Sequence, residues 1–155
     1  MDVRPASRDD LPELVDELWL AFAREMARID SFDELDDGIR DDALQYRVRL
    51  LERDDVGMWI ARDGEEYAGL AMVEHRKSPP VFHRGDAAYL HELYIVPAAR
   101  GEGLGTRLLS RVERWAHERD CEHVSLEVNV NNSFARDYYR RQGFEVKRET
   151  MVAPL

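Results

Sequence analysis

Three glycines fall within five residues in Arg100-Gly101-Glu102-Gly103-Leu104-Gly105-Thr106. An apolar, strand-like run ends just before them at Val96-Pro97, and a helix-patterned segment follows at once. Glycine lets the chain turn sharply and lets a ligand reach main-chain N–H groups with no Cβ in the way. The first turn of a helix carries unpaired N–H groups and the positive end of its dipole, so such a junction suits phosphate. A pyrophosphate-bearing cofactor is the natural ligand. The spacing is not the Gly-x-Gly-x-x-Gly of dinucleotide folds, and no Lys follows as a nucleotide phosphate loop requires. A plain turn needs one or two glycines, not three.

Other chemistry-bearing residues give weaker signals. His75, His83, His91, His117 and His123 show no metal-ligand spacing, so no metal is expected. His75 and His91 fall in strands and read as hydrogen-bonded structural residues. His117 and His123 flank a helix–strand turn and read as solvated. Cys121 is the single cysteine, which excludes an intrachain disulfide and argues against a Cys-based zinc site.

Arg100-Gly101-Glu102-Gly103-Leu104-Gly105 resembles the acyl-CoA signature of the GNAT superfamily of N-acetyltransferases, Gln/Arg-x-x-Gly-x-Gly/Ala. Asn132-Ser133-Phe134-Ala135-Arg136-Asp137-Tyr138-Tyr139-Arg140-Arg141-Gln142-Gly143-Phe144 resembles that superfamily's Asn-x-x-Ala-x-x-x-Tyr-x-x-x-Gly-Phe. The two motifs keep the family's order and a family-like separation. The resemblance implies an N-acetyltransferase that uses acetyl-CoA. Main-chain N–H groups of Arg100, Gly101, Glu102, Gly103, Leu104, Gly105 and Thr106 would hold the CoA pyrophosphate. The backbone of Leu93, Tyr94, Ile95 and Val96 would pair with the pantetheine arm, in a slot made by a splay between the fourth and fifth strands. Asn132 and Ala135 fall with the cofactor-binding positions of the second motif, Asn132 matching the Asn that hydrogen-bonds the pantetheine. Tyr139 matches the Tyr whose hydroxyl lies near the sulfur, and Tyr138 is packing.

That chemistry explains the residue types. An amine attacking a thioester produces a tetrahedral oxyanion, which a backbone N–H near the strand end can stabilise by roughly 3–4 kcal/mol. The leaving thiolate needs a proton, and the Tyr139 phenol can supply it. The amine must enter uncharged, so a carboxylate or a water relay takes its proton. Two carboxylates compete. Glu127 lies in a strand whose apolar face is Val124, Leu126, Val128 and Val130, so it points to the other face. Leu126-Glu127-Val128, with Tyr139 twelve residues after the Glu, also resembles ribosomal-protein-type N-terminal acetyltransferases, in which the corresponding Glu is the base. Glu92, in the preceding strand, is close to the reaction end. No cysteine lies in the matched motifs, so direct attack on a primary amine in a ternary complex is expected. The alternatives are another acyl-CoA donor, a small-molecule acceptor of the aminoglycoside or polyamine kind, or a CoA-binding module without catalysis. Tyr139 argues against the module, because binding CoA alone does not need that hydroxyl.

The elements that must position these groups are legible in the periodicity. Val3 to Ala6 reads as a first strand. Ser7 and Asp10 then form a capping-box variant. Leu11, Leu14, Val15, Leu18, Trp19, Phe22, Met26 and Ile29 follow at helical spacing. Asp30 to Gly38 is an acidic loop, and a second helix runs from Ile39 to Arg53. Met58 to Arg62 and Tyr67 to Glu74 are strands joined by a turn at Asp63-Gly64. After a loop from Lys77 to Asp86, Ala87 to Val96 is a strand. Leu104, Leu108, Leu109, Val112, Trp115 and Ala116 mark a helix face. Val124 to Val130 is a strand, Asn132 to Gln142 a helix closed by Gly143, and Phe144 to Val152 a last strand. The order β-α-α-β-β-β-α-β-α-β describes one α/β domain over residues 1–155 and fits the family's layout. The resemblance implies a mixed, mostly antiparallel sheet of six to seven strands flanked by about four helices.

Net charge is −10, which argues against nucleic acid as a partner. Residues 1–60 hold 17 acidic and 8 basic side chains, whereas residues 61–155 hold 15 and 14. Asp30, Asp33, Glu34, Asp36 and Asp37 are therefore expected to border the acceptor site and favour a cationic amine, a peptide or a small molecule. A solvated or salt-adapted loop is the competing reading. No apolar run approaches the roughly 20 residues that span a bilayer, and no signal peptide opens the chain, so a cytoplasmic protein is expected. The superfamily often dimerises, which makes a homodimer a further expectation.

Overall fold

Leu104, Leu108, Leu109, Val112, Trp115 and Ala116 all become buried on one face of a single helix, as their spacing predicts. That helix packs on one side of a central sheet, and two others cover the opposite side. The computed structural model describes residues 1–155. The sheet has five strands in the order β1-β2-β3-β4-β5. They are β1 (Asp2–Pro5), β2 (Val56–Asp63), β3 (Glu66–Arg76), β4 (Ala87–Ile95) and β5 (His123–Leu126). The first four pair antiparallel, and β5 joins β4 in parallel. Gly64, at φ +62, closes the tight turn between Asp63 and Glu66.

Four helices flank the sheet. In α1, the segments Leu11–Glu13, Leu14–Trp19 and Leu20–Ile29 follow without a break. Its middle segment is wound more widely, with the Leu20 N–H donating to the Val15 carbonyl five residues back. The helix α2 spans Arg40–Leu51, α3 spans Leu104–Glu118 and α4 spans Ser133–Arg141. Leu11, Leu14, Val15 and Leu18 of α1 are fully buried against Met58, Ile60, Leu70 and Met72. Burial of such side chains stabilises by about 1.5–3 kcal/mol each. On the other face α3 meets Ala61, Ala71, Val73, Ala88 and Leu90. At the start of α1, the Asp10 carboxylate accepts from the Ser7 N–H at 2.7 Å and from the Ser7 hydroxyl at 2.8 Å. Arg4 and the Tyr67 hydroxyl complete its hydrogen bonds.

Two expectations are corrected. The sheet has five strands, not six to seven. Residues 145–155 are exposed and form no strand, although Phe144 to Val152 was expected as one. Alternation alone does not make a strand. A partner edge must supply the hydrogen bonds, and the Phe144 N–H instead turns back to the Tyr139 carbonyl. The strand β5 also ends at Leu126 rather than Val130, because its pairing with β4 stops there.

Candidate active site

The parallel pairing of β4 with β5 ends at Leu90 and Leu126, yet β4 continues to Ile95. The backbone groups of His91–Ile95 that face away from β3 therefore have no strand partner. The two strands part there, as the family resemblance implies. At its end the Ile95 carbonyl accepts from Arg100 Nε at 2.9 Å, and the Val96 N–H donates to the Ala68 carbonyl.

A bulge interrupts β4 inside this stretch. Met72 pairs with Glu92 and Val73 with Leu90, which leaves His91 as the extra residue. An extra residue flips the side chains that follow it to the opposite face. Ala88 and Leu90 face α3, whereas Tyr94 faces α1 and α2. Glu92 follows Tyr94 and meets Arg47 of α2. Without the bulge it would join Leu90 under α3.

The glycine loop leads from the splay into α3. Gly101 and Gly103 adopt φ +83 and +80, and a Cβ at either would meet nothing within 4 Å. Their requirement is conformational, because other residues avoid this region. No N–H from Gly101 through Thr106 donates to a backbone carbonyl, and the first bond of the helix runs from the Arg107 N–H to the Gly103 carbonyl. Gly101, Glu102 and Gly103 are exposed. Free N–H groups at an open helix N-terminus fit the pyrophosphate that the motif implies. Gly105 serves close approach, with the Tyr138 hydroxyl 3.4 Å from where its Cβ would stand.

Helix α1 clasps both sides of the splay. Glu25 accepts from Arg100 Nη2 at 3.1 and 2.9 Å. Arg100 is thus drawn toward α1. Asn132 Nδ2 lies 3.9 Å from Met26 Sδ, and Asn129 donates to Asp30 at 2.9 Å. Asn132 also caps α4 by accepting from the Ala135 N–H. Tyr139 is packed against Phe144 at 5.4 Å and joins the edge of the core on the α3 side. Burial, with a smaller contribution from neighbouring Tyr138, pushes its phenol well above the ordinary value. The Tyr138 hydroxyl instead reaches Thr106 Oγ1 at 3.4 Å.

The two candidate carboxylates stand in different surroundings. Glu127 is exposed, just past the end of β5. Burial and the Glu127 carboxylate beside it push the Tyr89 phenol upward. The Glu92 side chain is only 10 % exposed, and Arg47 Nη2 donates to its Oε1. Its Oε2 is buried with no hydrogen-bond partner. Arg47 itself is 1 % exposed, donates to Met72 Sδ at 3.6 Å and lies over the Trp19 ring at 5.8 Å. A cavity of about 310 Å³ opens beside this pair. Trp19, Leu35, Ile39, Asp42, Ala43 and Tyr46 complete its wall.

Sequence reasoning missed Arg47, Trp19 and Glu25. A signal for Arg47 existed, because it falls in the helical stripe Ala43, Leu44, Arg47, Val48 and Leu51. A charge on an apolar stripe calls for a buried partner. Of the acidic loop only Leu35 lines the cavity, and none of Asp30, Asp33, Glu34, Asp36 and Asp37 does, contrary to expectation. Asp30 binds Asn129, while Asp36 and Asp37 line a neighbouring space with Arg24, Arg28 and Arg40. His75 pairs with Asp86 at 2.8 Å and His91 with Glu74 at 3.2 Å. No group of three or more His, Cys, Asp or Glu side chains is placed to hold a metal ion. No helix is long and apolar enough to cross a membrane.

Proteins of similar sequence and fold are known. An uncharacterized N-acetyltransferase of Archaeoglobus fulgidus is 31% identical over 146 residues, covering 92% of this chain and 91% of that protein. An aminoglycoside N(6')-acetyltransferase type 1 of Klebsiella aerogenes is 32% identical over 85 residues, 55% of each chain. Among solved structures, a predicted acetyltransferase of Clostridium acetobutylicum with acetyl-CoA superimposes with a TM-score of 0.78. It is 24% identical, and the match covers 99% of this chain and 95% of that one. The pattern of the Acetyltransferase (GNAT) family matches residues 12–144. The chain therefore belongs to the Acetyltransferase (GNAT) family and is an acyltransferase.

Proposed function

We propose that this protein transfers an acetyl group from acetyl-CoA to a primary amine by direct attack in a ternary complex. The observation that carries the reading is the unpaired stretch of β4. It leads into the glycine cradle at one end and contains Glu92, which faces the cavity. The aminoglycoside acetyltransferase and acetyl-CoA-bound relatives support the same donor and an amine acceptor.

Acetyl-CoA supplies the activated acyl group and the thiol that leaves. Main-chain N–H groups of Gly101 to Thr106 hold the pyrophosphate; the Arg100 N–H, expected among them, is bonded to the Pro97 carbonyl, and its side chain keeps α1 against that loop. Unpaired backbone groups between His91 and Ile95 align the pantetheine arm. One N–H there meets the negative charge that develops on the carbonyl oxygen, an effect worth roughly 3–4 kcal/mol. Glu92 receives the amine from the cavity and accepts its proton, while Arg47 holds one of its oxygens. Tyr139, at the position of the family's tyrosine, donates its proton to the departing sulfur, and the proton taken by Glu92 returns to it through solvent as the products leave. Steps of this acid–base kind contribute about 10²–10⁴-fold each.

The test is free-thiol release from acetyl-CoA across a panel of amines. Amine-dependent release is expected, reduced about 10²-fold or more in Tyr139→Phe and little changed in Tyr138→Phe. Tight CoA binding with no release on any amine would favour a binding module instead. The Tyr89–Glu127 contact supports a second reading, in which Glu127 is the base and Glu92 only orients the amine. Under that reading Glu127→Gln lowers the rate most at low pH. An unchanged pH–rate profile removes Glu127 from the mechanism.

A further inference from the structure

We infer that the acceptor is a small primary amine carrying one positive charge on an apolar body, a monoamine rather than a polyamine or an aminoglycoside. The inference rests on the acetyl-transfer reading above, and concerns the cavity beside Glu92.

The buried part of this cavity offers one carboxylate, and Arg47 already holds one of its oxygens. Glu92 Oε1 is taken by Arg47, and Oε2 is buried with no partner. A buried carboxylate oxygen without a donor is unfavourable unless something arrives to supply one. An ammonium or amine N–H is that donor. A second ammonium inside would meet the buried Arg47 guanidinium and the apolar surfaces of Trp19, Leu35, Ile39 and Ala43. Burying an unpaired charge there is strongly unfavourable. Asp42 is the other acid of the wall, but it is exposed at the rim, where water competes for it.

The surroundings point the same way. Leu35 and Ile39 also wall a neighbouring space of about 510 Å³. A long polycation reaching past them would meet Arg24 and Arg28 as well as Asp36 and Asp37, while Arg40 is already held by Asp16. The first cavity, at about 310 Å³, lies at the small end of the usual range for ligand pockets. It accommodates a hexyl- or phenethyl-sized amine. The aromatic and aliphatic side chains take its body, and Glu92 aims its nitrogen toward the splay.

The experiment uses hexylamine and 1,6-diaminohexane, which match in length and differ only in the second ammonium. Acetyl transfer by the full chain is followed as thiol release, and acetyl-CoA binding is measured separately by calorimetry. We expect kcat/KM for hexylamine to exceed that for the diamine by at least about tenfold. Leu35→Asp, which adds a carboxylate to the wall from a loop, should narrow the ratio, chiefly through KM. Equal or better turnover of the diamine overturns the inference and leaves acetyl transfer standing. So does faster acetylation of a peptide α-amine than of hexylamine. An unchanged ratio in folded Leu35→Asp also overturns it. Acetyl-CoA binding without release on any amine overturns the transfer reading. In that case saturable quenching of Trp19 fluorescence by hexylamine, lost in Trp19→Phe, upholds the pocket. Its absence removes the pocket as well.

Discussion

Replacing Arg47 by Met should destabilise the fold sharply, and replacing Glu92 at the same time should restore it. Arg47 is 1 % exposed, and the Glu92 side chain 10 %. Removing the guanidinium alone leaves a carboxylate buried with neither oxygen partnered. Breaking a buried ion pair in this way costs about 3–5 kcal/mol. For a chain of this length that is a fall of about 6–20 °C in Tm. Arg47→Met with Glu92→Met removes both charges and keeps much of the volume. Such double replacements range from neutral to about 1–4 kcal/mol more stable than the ion pair. The coupling from the double-mutant cycle should therefore be at least about 3 kcal/mol. Urea unfolding followed by circular dichroism and tryptophan fluorescence measures all four proteins. The double variant should regain stability yet acetylate no amine at a useful rate, because the only carboxylate left on the cavity wall is Asp42, exposed at the rim. A loss below about 1 kcal/mol in Arg47→Met would refute the reasoning, since pairs at the surface are worth no more than that. Failure of the second replacement to restore stability would refute it equally.

Three further outcomes follow from the geometry. Gly103→Ala places a Cβ in open space but at φ +80, a cost of about 1–2 kcal/mol. If that cost falls on the cradle, calorimetry will show CoA binding weakened by about 5–30-fold, and an unchanged Kd would separate the loop from the pyrophosphate. Asp10 is held well below the usual carboxylate range, first by Arg4 and then by the Ser7 and Tyr67 donors. A group with a depressed folded pKa contributes stability above its unfolded value of about 3.9 and loses it as pH falls below that. Asp10→Asn should therefore cost about 2 kcal/mol at pH 7 and flatten the loss of stability below about pH 4, read by urea midpoints across pH. Glu92→Gln should lower kcat, most at low pH where the amine arrives protonated, whereas a loss of rate confined to KM would make Glu92 a binding group only.

Local pattern carried much of this structure. The glycine run, the Asn132–Phe144 motif and the stripe from Leu104 to Ala116 are all written in short-range spacing, and each sits where that spacing puts it. Features that depend on pairing between distant segments were hidden. The bulge at His91 arises from the register of β4 against β3, and nothing near His91 in the chain announces it. Simple alternation therefore could not say which face Glu92 takes. The same holds for Arg47, whose partner lies 45 residues away. The alternation from Phe144 onward looked like a strand, but no edge in the sheet accepts it. Glu127 was placed in β5, and it lies one residue beyond the point where β4 and β5 part.

The central claim is transfer by direct attack at the splayed end of β4. Initial rates of thiol release, measured while acetyl-CoA and hexylamine are both varied, test it most directly. Double-reciprocal lines that intersect, with no release when the amine is left out, are the predicted result. Parallel lines, or a burst of thiol before any amine is added, would mean an acyl-enzyme and contradict it.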